Sequence, residues 1–501
     1  MARLHPLLLP LLSALPHALS TLTPYAGPLP AHLTRTPLGF AHDSTGGGLP
    51  PPANTSYIVT TMPSLRAALQ LPSPKTIYVN GTLYGNTIAD NGTSADCQWY
   101  IDHSASPAFN FTMYVLSLNA TYVAAVDAAV DAANGTWEGG DASEYRGRLG
   151  RMNGWRGQAQ NAQKAWEAVE VGGGTSLVGW GEGEAGDALV GVNVKLSSVD
   201  NVHVRNLRIV PPQDCFPAPE TYPATWNARY DAISAVTATN IWLDGLILED
   251  GPEDVQPQPF LGGWLVDRFD GLFDAEDGSD NITFSHNIVR NHHKSLLFGG
   301  GNKEADRDLG KMRFTIYGNH FNNSDSRNPL MRFGTFHLVN NLFDSTNNQA
   351  PLFPASNATD GDGDGDDDGD TDVHPFQYHL GVYNQSSVLV SGNVFRQGGM
   401  HAQDTSRVFT YSDLTRADIP ARLCVRPDEG GVGDTFNGAS VDLEEVARGI
   451  FEYQVGLGKA VEGGLVWGCD GFGGAEVAGG FASAEEVERY VLAEAGKTGG
   501  D

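Results

Sequence analysis

Six segments of the chain carry one pattern: VHVRNLRIV (202–210), IWLDGLILE (241–249), ITFSHNIVR (282–290), FTIYGNHFN (314–322), FHLVNNLFD (336–344) and VLVSGNVFR (388–396). Each reads as a short alternating strand, a bend and a second strand. Asn206, Gly245, Asn287, Asn319, Asn341 and Asn393 stand at the bends, 39, 42, 32, 22 and 52 residues apart. The minimal unit is therefore about 22 residues, and the longer intervals carry inserted loops. A bend asparagine that returns once per coil suits a parallel β-helix, where stacked amides satisfy one another inside the turn as the backbone does between coils. A β-sandwich of short strands is the alternative, but its hairpins call for Gly-rich two-residue loops that these bends lack.

Neighbouring coils of such a fold lie about 4.8 Å apart, so one side chain per coil at the same bend builds a ladder along a groove. Candidates for that ladder follow in chain order: Asp231 in TWNARYDAIS, Asp270 and Asp274 in DGLFD, Lys294 in NHHKSLLFG, then Arg327 and Arg332 in the R-x-P-x-x-R unit of SDSRNPLMRFG. On a straight strand Asp270 and Asp274 would stand about 13 Å apart, so joint action requires a bend, which Gly271 permits.

Charge narrows the partners. A formal net charge of -29 argues against nucleic acid. It also opposes a polyanionic substrate, unless acid pairs hold divalent cations that invert the local sign. Part of the excess lies in TDGDGDGDDDGDTDV (359–373), which can bury nothing and reads as a disordered loop; it does not fit a twelve-residue calcium hand.

The first twenty residues, with Arg3, an apolar Leu7–Leu15 and Ala18-Leu19-Ser20, read as a secretory signal, and Pro10 interrupts an apolar run too short to span a bilayer. N-x-[ST] sequons at Asn54, Asn80, Asn91, Asn110, Asn119, Asn134, Asn281, Asn322, Asn357 and Asn384 agree with a secreted, extracellular glycoprotein. Four cysteines allow three disulfide connectivities; Cys97 with Cys215 and Cys424 with Cys469 is the expected one, and buried free thiols are the alternative.

Taken together, the acids, HHK and R-x-P-x-x-R resemble polysaccharide lyase family 1, the pectate lyases, in particular secreted fungal ones. PLGFAHDSTGGG (37–48), YIVTTMPSLRAAL and KTIYVNGTLYG resemble that family's amino-terminal helix and first coil, and TSLVGWGEG (175–183) its T-x-x-G-x-G coil. The resemblance covers about residues 37–400. It implies an all-β, right-handed single-stranded parallel β-helix with helical caps, one domain over 21–501. It also implies β-elimination of polygalacturonate or pectin, with Arg327 as the base, Lys294 and Arg332 on substrate carboxylates, and Ca²⁺ on Asp231, Asp270 and Asp274. Pectin lyase action on methyl-esterified substrate, glycoside hydrolysis by paired carboxylates, and a non-catalytic carbohydrate-binding β-helix are the competing readings. Trp242-Leu243-Asp244-Gly245 departs from the family's W-I-D-H, and FGGGNKEADRD (298–308) from its G-S-S-D-S.

Residues 119–168 read as a helical insertion. Ser483 and Glu486 form a capping box for a helix to about 495 that Gly496 stops, expected to close the solenoid end. A capped solenoid is expected to be monomeric.

Overall fold

In a computed structural model, the described residues are 22–48, 50–88, 92–132, 135–181, 186–222, 225–251, 260–261, 264–346, 376–472 and 480–497. The expected signal segment, the acidic run 359–373, and Asn91, Asn134 and Asn357 lie outside them.

Three sheets of twelve, ten and eight strands, parallel except for one antiparallel pair at an end of the first and one at an end of the second, wind around one apolar core as a parallel β-helix. Within a coil the chain passes from the first sheet (twelve strands) to the second (ten) and then the third (eight), as in Asp280–Ser285, Ile288–Lys294 and Leu296–Phe298. Alternation within strands sends Ile282, Phe284 and Val289 inwards, and ring stacking such as Phe298 on Phe314 at 4.4 Å fills the lumen.

The bend between the first and second sheets needs two different residues. The first takes the left-handed conformation: Asn206, Gly245, His286, Gly318, Asn340 and Gly392 have φ between 53° and 65°. The next residue points inside, where Asn287, Asn319, Asn341 and Asn393 form a ladder. Each backbone N–H in turn donates to the next amide oxygen at 2.9–3.0 Å, and the last, from Asn393, to Asp434 Oδ1 at 2.7 Å. Asn206 and Gly245 thus sit one residue earlier than the ladder, whose places in those coils belong to Leu207 and Leu246. Asparagine suits both places, since it tolerates positive φ and carries an amide, so its letter alone did not separate them.

The helix Met62–Leu69, capped reciprocally by Thr61 and Ser64, seals one end by burying Met62, Leu65, Ala68 and Leu69 in the core. The other end is sealed by Leu443–Gly456, through Leu443, Ala447 and Phe451. The expected carboxy-terminal helix, Ala484–Glu494, is present with Ser483 as its cap, but it lies along the flank of the second sheet on Ile247, Ile288, Leu342 and Val394. Its apolar face is a stripe matched to a sheet surface, so it does not close the end. Glu486 caps through Ala482 N–H, not that of Ser483.

The helical insertion starts earlier than expected. Five helices between Cys97 and Glu167 share an apolar core of their own, including Tyr100, Tyr114, Val126 and Leu149. The disulfides join Cys97 to Cys215 and Cys424 to Cys469; the first ties this helical lobe to the loop ahead of the Asp231 coil. No single described helix is long and apolar enough to cross a membrane.

Candidate active site

Asp231, Asp270, Asp274, Lys294 and Arg327 gather where second-sheet strands turn into third-sheet strands, whereas Arg332 follows the third-sheet strand Leu330–Met331. Ile233, Phe273 and Leu296 are in register, so Asp231, Gly271 and Lys294 share one place two residues earlier on successive coils. On the next coil Ser326 pairs with Lys294 and Leu330 with Leu297, so the chain takes four steps there where the preceding coil takes three. The extra residue is accommodated with Arg327 at φ 57° and a cis Asn328–Pro329 bond. The Arg327 carbonyl accepts from Leu296 N–H at 2.8 Å, which anchors its backbone in the stack.

Asp231 is buried, its oxygens accepting from Gly271 N–H (3.1 Å) and Ser234 Oγ (2.5 Å). Asp274 folds back against Gly271, where a Cβ would fall 2.2 Å from Asp274 Oδ1. Gly271 is therefore needed for space, since its φ is not positive. Asp274 Oδ1 is buried with no hydrogen bond. Burial, then the charge of Asp270, pushes the Asp231 carboxyl up to about 8. Asp274 is raised well above the usual carboxylate range by burial, then by Asp231 and Asp270, while Arg327 opposes. Asp270 is raised by burial, with Lys294 and Arg327 pulling the other way. Burial raises all three carboxyls, Asp270 adds to the rise of Asp231 and Asp274, and Asp274 carries an unsatisfied oxygen, which makes a place of excess negative potential suited to a hard cation. Among the described residues no three His, Cys, Asp or Glu side chains close into a metal cage by themselves.

Lys294 Nζ lies 3.3 Å from Asp267 Oδ2 and 3.9 Å from Asp270 Oδ1. Burial would lower it, but Asp267 and Asp270 raise it. Burial likewise pushes Asp267 up, but Lys294 and His293 outweigh this and hold that carboxyl at about 2. Asp267 was missed in the sequence, although it stands three residues before Asp270. Next to it, His292 Nδ1 meets Asp250 Oδ1 at 2.7 Å. Arg332 sits apart from the acids: it is buried, donates to the Gly299 carbonyl at 3.1 Å and lies 4.9 Å over the Tyr383 ring.

The departures are also placed. Gly245 occupies a left-handed bend between the first and second sheets, a different corner from the acids, so the missing histidine leaves them untouched. Asp244 is buried on Arg205 (3.2 Å) and His286 Nδ1 (2.9 Å). The glycines of FGGGNKEADRD pack Gly299 against Arg332.

Residues 123–415 match the family model described as pectate lyase, more than half of the 501 residues. The chain belongs to the pectate lyase family. A curated pectate lyase from Bacillus subtilis (strain 168) is 27% identical over 380 residues, 74% of this chain and 78% of that protein. Among solved structures, a thermostable pectate lyase superposes with TM-score 0.68 at 23% identity, covering 95% of this chain and 99% of that one. A pectate lyase bound to a hexasaccharide superposes with TM-score 0.66 at 22% identity, covering 95% and 99%. These likenesses establish the β-helix of this pectate lyase-family chain.

Proposed function

We propose that the chain is a secreted, monomeric, calcium-dependent pectate lyase that cleaves polygalacturonate by β-elimination. The observation that carries this is the convergence of Asp231, Asp270, Asp274, Lys294 and Arg327 at one corner, within a family member. Arg327 takes the C5 proton, the freed electron pair forms the C4–C5 double bond, and the C4–O glycosidic bond breaks, its oxygen taking a proton from solvent water as it leaves, while Arg327 returns its proton to solvent. Lys294 holds a substrate carboxylate, with Arg332 as a second such ligand supported from below by Tyr383.

A guanidinium with pKa above 12 is a poor base unless cations favour its neutral form. Lys294 contributes to this; the three carboxylates act against it until they are neutralised. Asp231, Asp270 and Asp274 would hold Ca²⁺, which when bound supplies Lewis-acid withdrawal from the substrate carboxylate. The neighbour with a bound hexasaccharide supports an oligosaccharide in this groove. Two disulfides, and exposed sequon asparagines at Asn80, Asn110 and Asn119, support an oxidising extracellular setting.

The test is polygalacturonate with added Ca²⁺ and with excess chelator. Ultraviolet-absorbing unsaturated ends should form only in the first. Equal rates in both, or turnover of methyl-esterified pectin alone, would move the reading to pectin lyase; binding without cleavage would leave a carbohydrate-binding β-helix.

A further inference from the structure

The cations beside the acidic corner on its amino-terminal side are not used by this chemistry. Lys195 lies on the outer row of the third sheet, in register with Ser234, whose hydroxyl holds Asp231, and through it with Asp274. It is thus about 10 Å, two coils, before Asp274. Arg229, exposed and two residues before Asp231, reaches Asn161 Oδ1 at 2.7 Å on the last helix of the helical lobe. Gln160 Oε1 on that helix accepts from both Arg229 (3.5 Å) and Arg156 (3.3 Å), so these guanidiniums are neighbours. Lys164, one turn further along, is depressed by burial and then by the charges of Arg229 and Lys195.

Four cations therefore run without a break from the helical lobe to the catalytic corner. Among the described residues no ion pair within 4 Å involves any of them; Asp214 is buried behind Gln160, Glu167 is buried on the same helix, and Glu170, in register with Lys195 on the preceding coil, raises Lys164 without pairing with either lysine. In a chain of net charge -29 such a run is unlike its surroundings. At its far end Arg156 lies 5.8 Å over the Tyr114 ring and lines a cavity of about 340 Å³ with Asn153 and Pro219. Tyr114 is buried beneath Arg156, so the recess offers an acidic sugar the guanidinium it supports and the Asn153 amide.

We propose that Lys195, Lys164, Arg229 and Arg156 form an accessory binding track for polyuronate, carrying the groove from the acidic corner onto the helical lobe. The proposal rests on the polyuronate reading above and deepens it: the chain would favour long anionic substrates over short ones. Charge repulsion among the four is relieved when repeating carboxylates bind between them, so binding weakens with salt.

Two measurements test it. In affinity electrophoresis through gels containing polygalacturonate, with chelator present so that cation-mediated binding is removed, the wild-type chain should be retarded. K195Q/R229Q and R156Q should each lose most of the retardation, and R229K should regain it. In turnover, K195Q/R229Q should raise KM for polygalacturonate about fivefold or more, with a clearly smaller change for trigalacturonate. Equal mobility of wild type and variants, or equal KM changes on both substrates, would overturn the track. Retardation without cleavage would instead fail the lyase reading and leave the track standing. Near-ultraviolet circular dichroism on the same preparations identifies any variant that has not folded, in which case the single K195Q decides.

Discussion

Arg327 and Arg332 belong to one R-x-P-x-x-R unit, but their surroundings differ. The charge of Arg327 acts on Asp270 and Asp274, whereas Arg332 is committed to the Gly299 carbonyl and the Tyr383 ring. Arg327→Lys keeps the charge but moves the basic nitrogen and loses the planar fork, so kcat on polygalacturonate should fall by about a hundredfold or more. Arg332→Lys should mainly raise KM, and should also lower stability by about 1 kcal/mol through the lost ring contact. Steady-state kinetics with a melting curve separate the two; near-full kcat in the first variant would remove Arg327 from the base role. Asp274→Asn or Asp270→Asn should weaken calcium affinity and be partly rescued by more calcium, read by titrating activity against free Ca²⁺; unchanged dependence in both would place the metal elsewhere. These residues were legible because each lies in a motif. Asp267, Lys195 and Arg229 were not, because their partners come from coil stacking and from a helical lobe that no local pattern places against the groove.

At the scale of elements, the helical lobe holds the loops that carry the acids. Tyr230, beside Asp231, donates to the Gln160 carbonyl at 2.8 Å, and Asp214 N–H donates to the Arg268 carbonyl at 2.8 Å, next to Asp267. Within the lobe Glu167 is buried and accepts from Tyr100 Oη and Gln163 Nε2, both at 2.7 Å. Burial nonetheless raises its carboxyl to about 7. A folded-state value above the unfolded one means that this group's contribution to stability is fully present below about pH 4.5 and is lost as pH rises to about 7, on the order of 3 kcal/mol in all. The Glu167-dependent part of unfolding free energy, measured by denaturant titration of wild type and Glu167→Ala between pH 4.5 and 8, should therefore shrink with rising pH. A difference that grows instead would show Glu167 ionised throughout. The lobe's helices were legible by periodicity only in part: 152–167 has an amphipathic face, but Cys97–Asp102 is six residues long and exists through its cap and its packing.

For the whole molecule, the segment at Arg35 and the carboxy-terminal helix Ala484–Glu494 meet on the flank of the solenoid. Arg35 binds Glu494 and the Lys497 carbonyl on the carboxy-terminal helix and lies 3.8 Å from Asp244, while Tyr490 Oη meets His286 Nε2 at 2.9 Å. The segment 40–47 then runs back across five coils, from Thr315 to Thr283 and, past the Trp242 coil, to His203 and Ser176. Repeats and caps were legible as a solenoid, but this clasp joins residues some 460 positions apart through single side chains, which no period reveals. Burial would raise Asp244, but His286, Arg205 and Arg35 outweigh it and keep its carboxyl below the ordinary range. A depressed folded value contributes stability above the unfolded carboxylate pKa and loses it as pH falls through the folded one, so the clasp should weaken in acid. Asp244→Asn leaves Arg205, His286 and Arg35 without their shared anion and should cost about 3–5 kcal/mol near neutral pH. Arg35→Ala, at a less buried site, should cost less but should expose the Ala484–Glu494 helix to limited proteolysis. Melting curves from pH 3 to 8 on both variants check this: the wild-type advantage over Asp244→Asn should be largest near neutrality and shrink in acid. A constant difference across that range, with the helix still protected in Arg35→Ala, would mean that the helix is held by the apolar stripe of Val487 and Val491 alone.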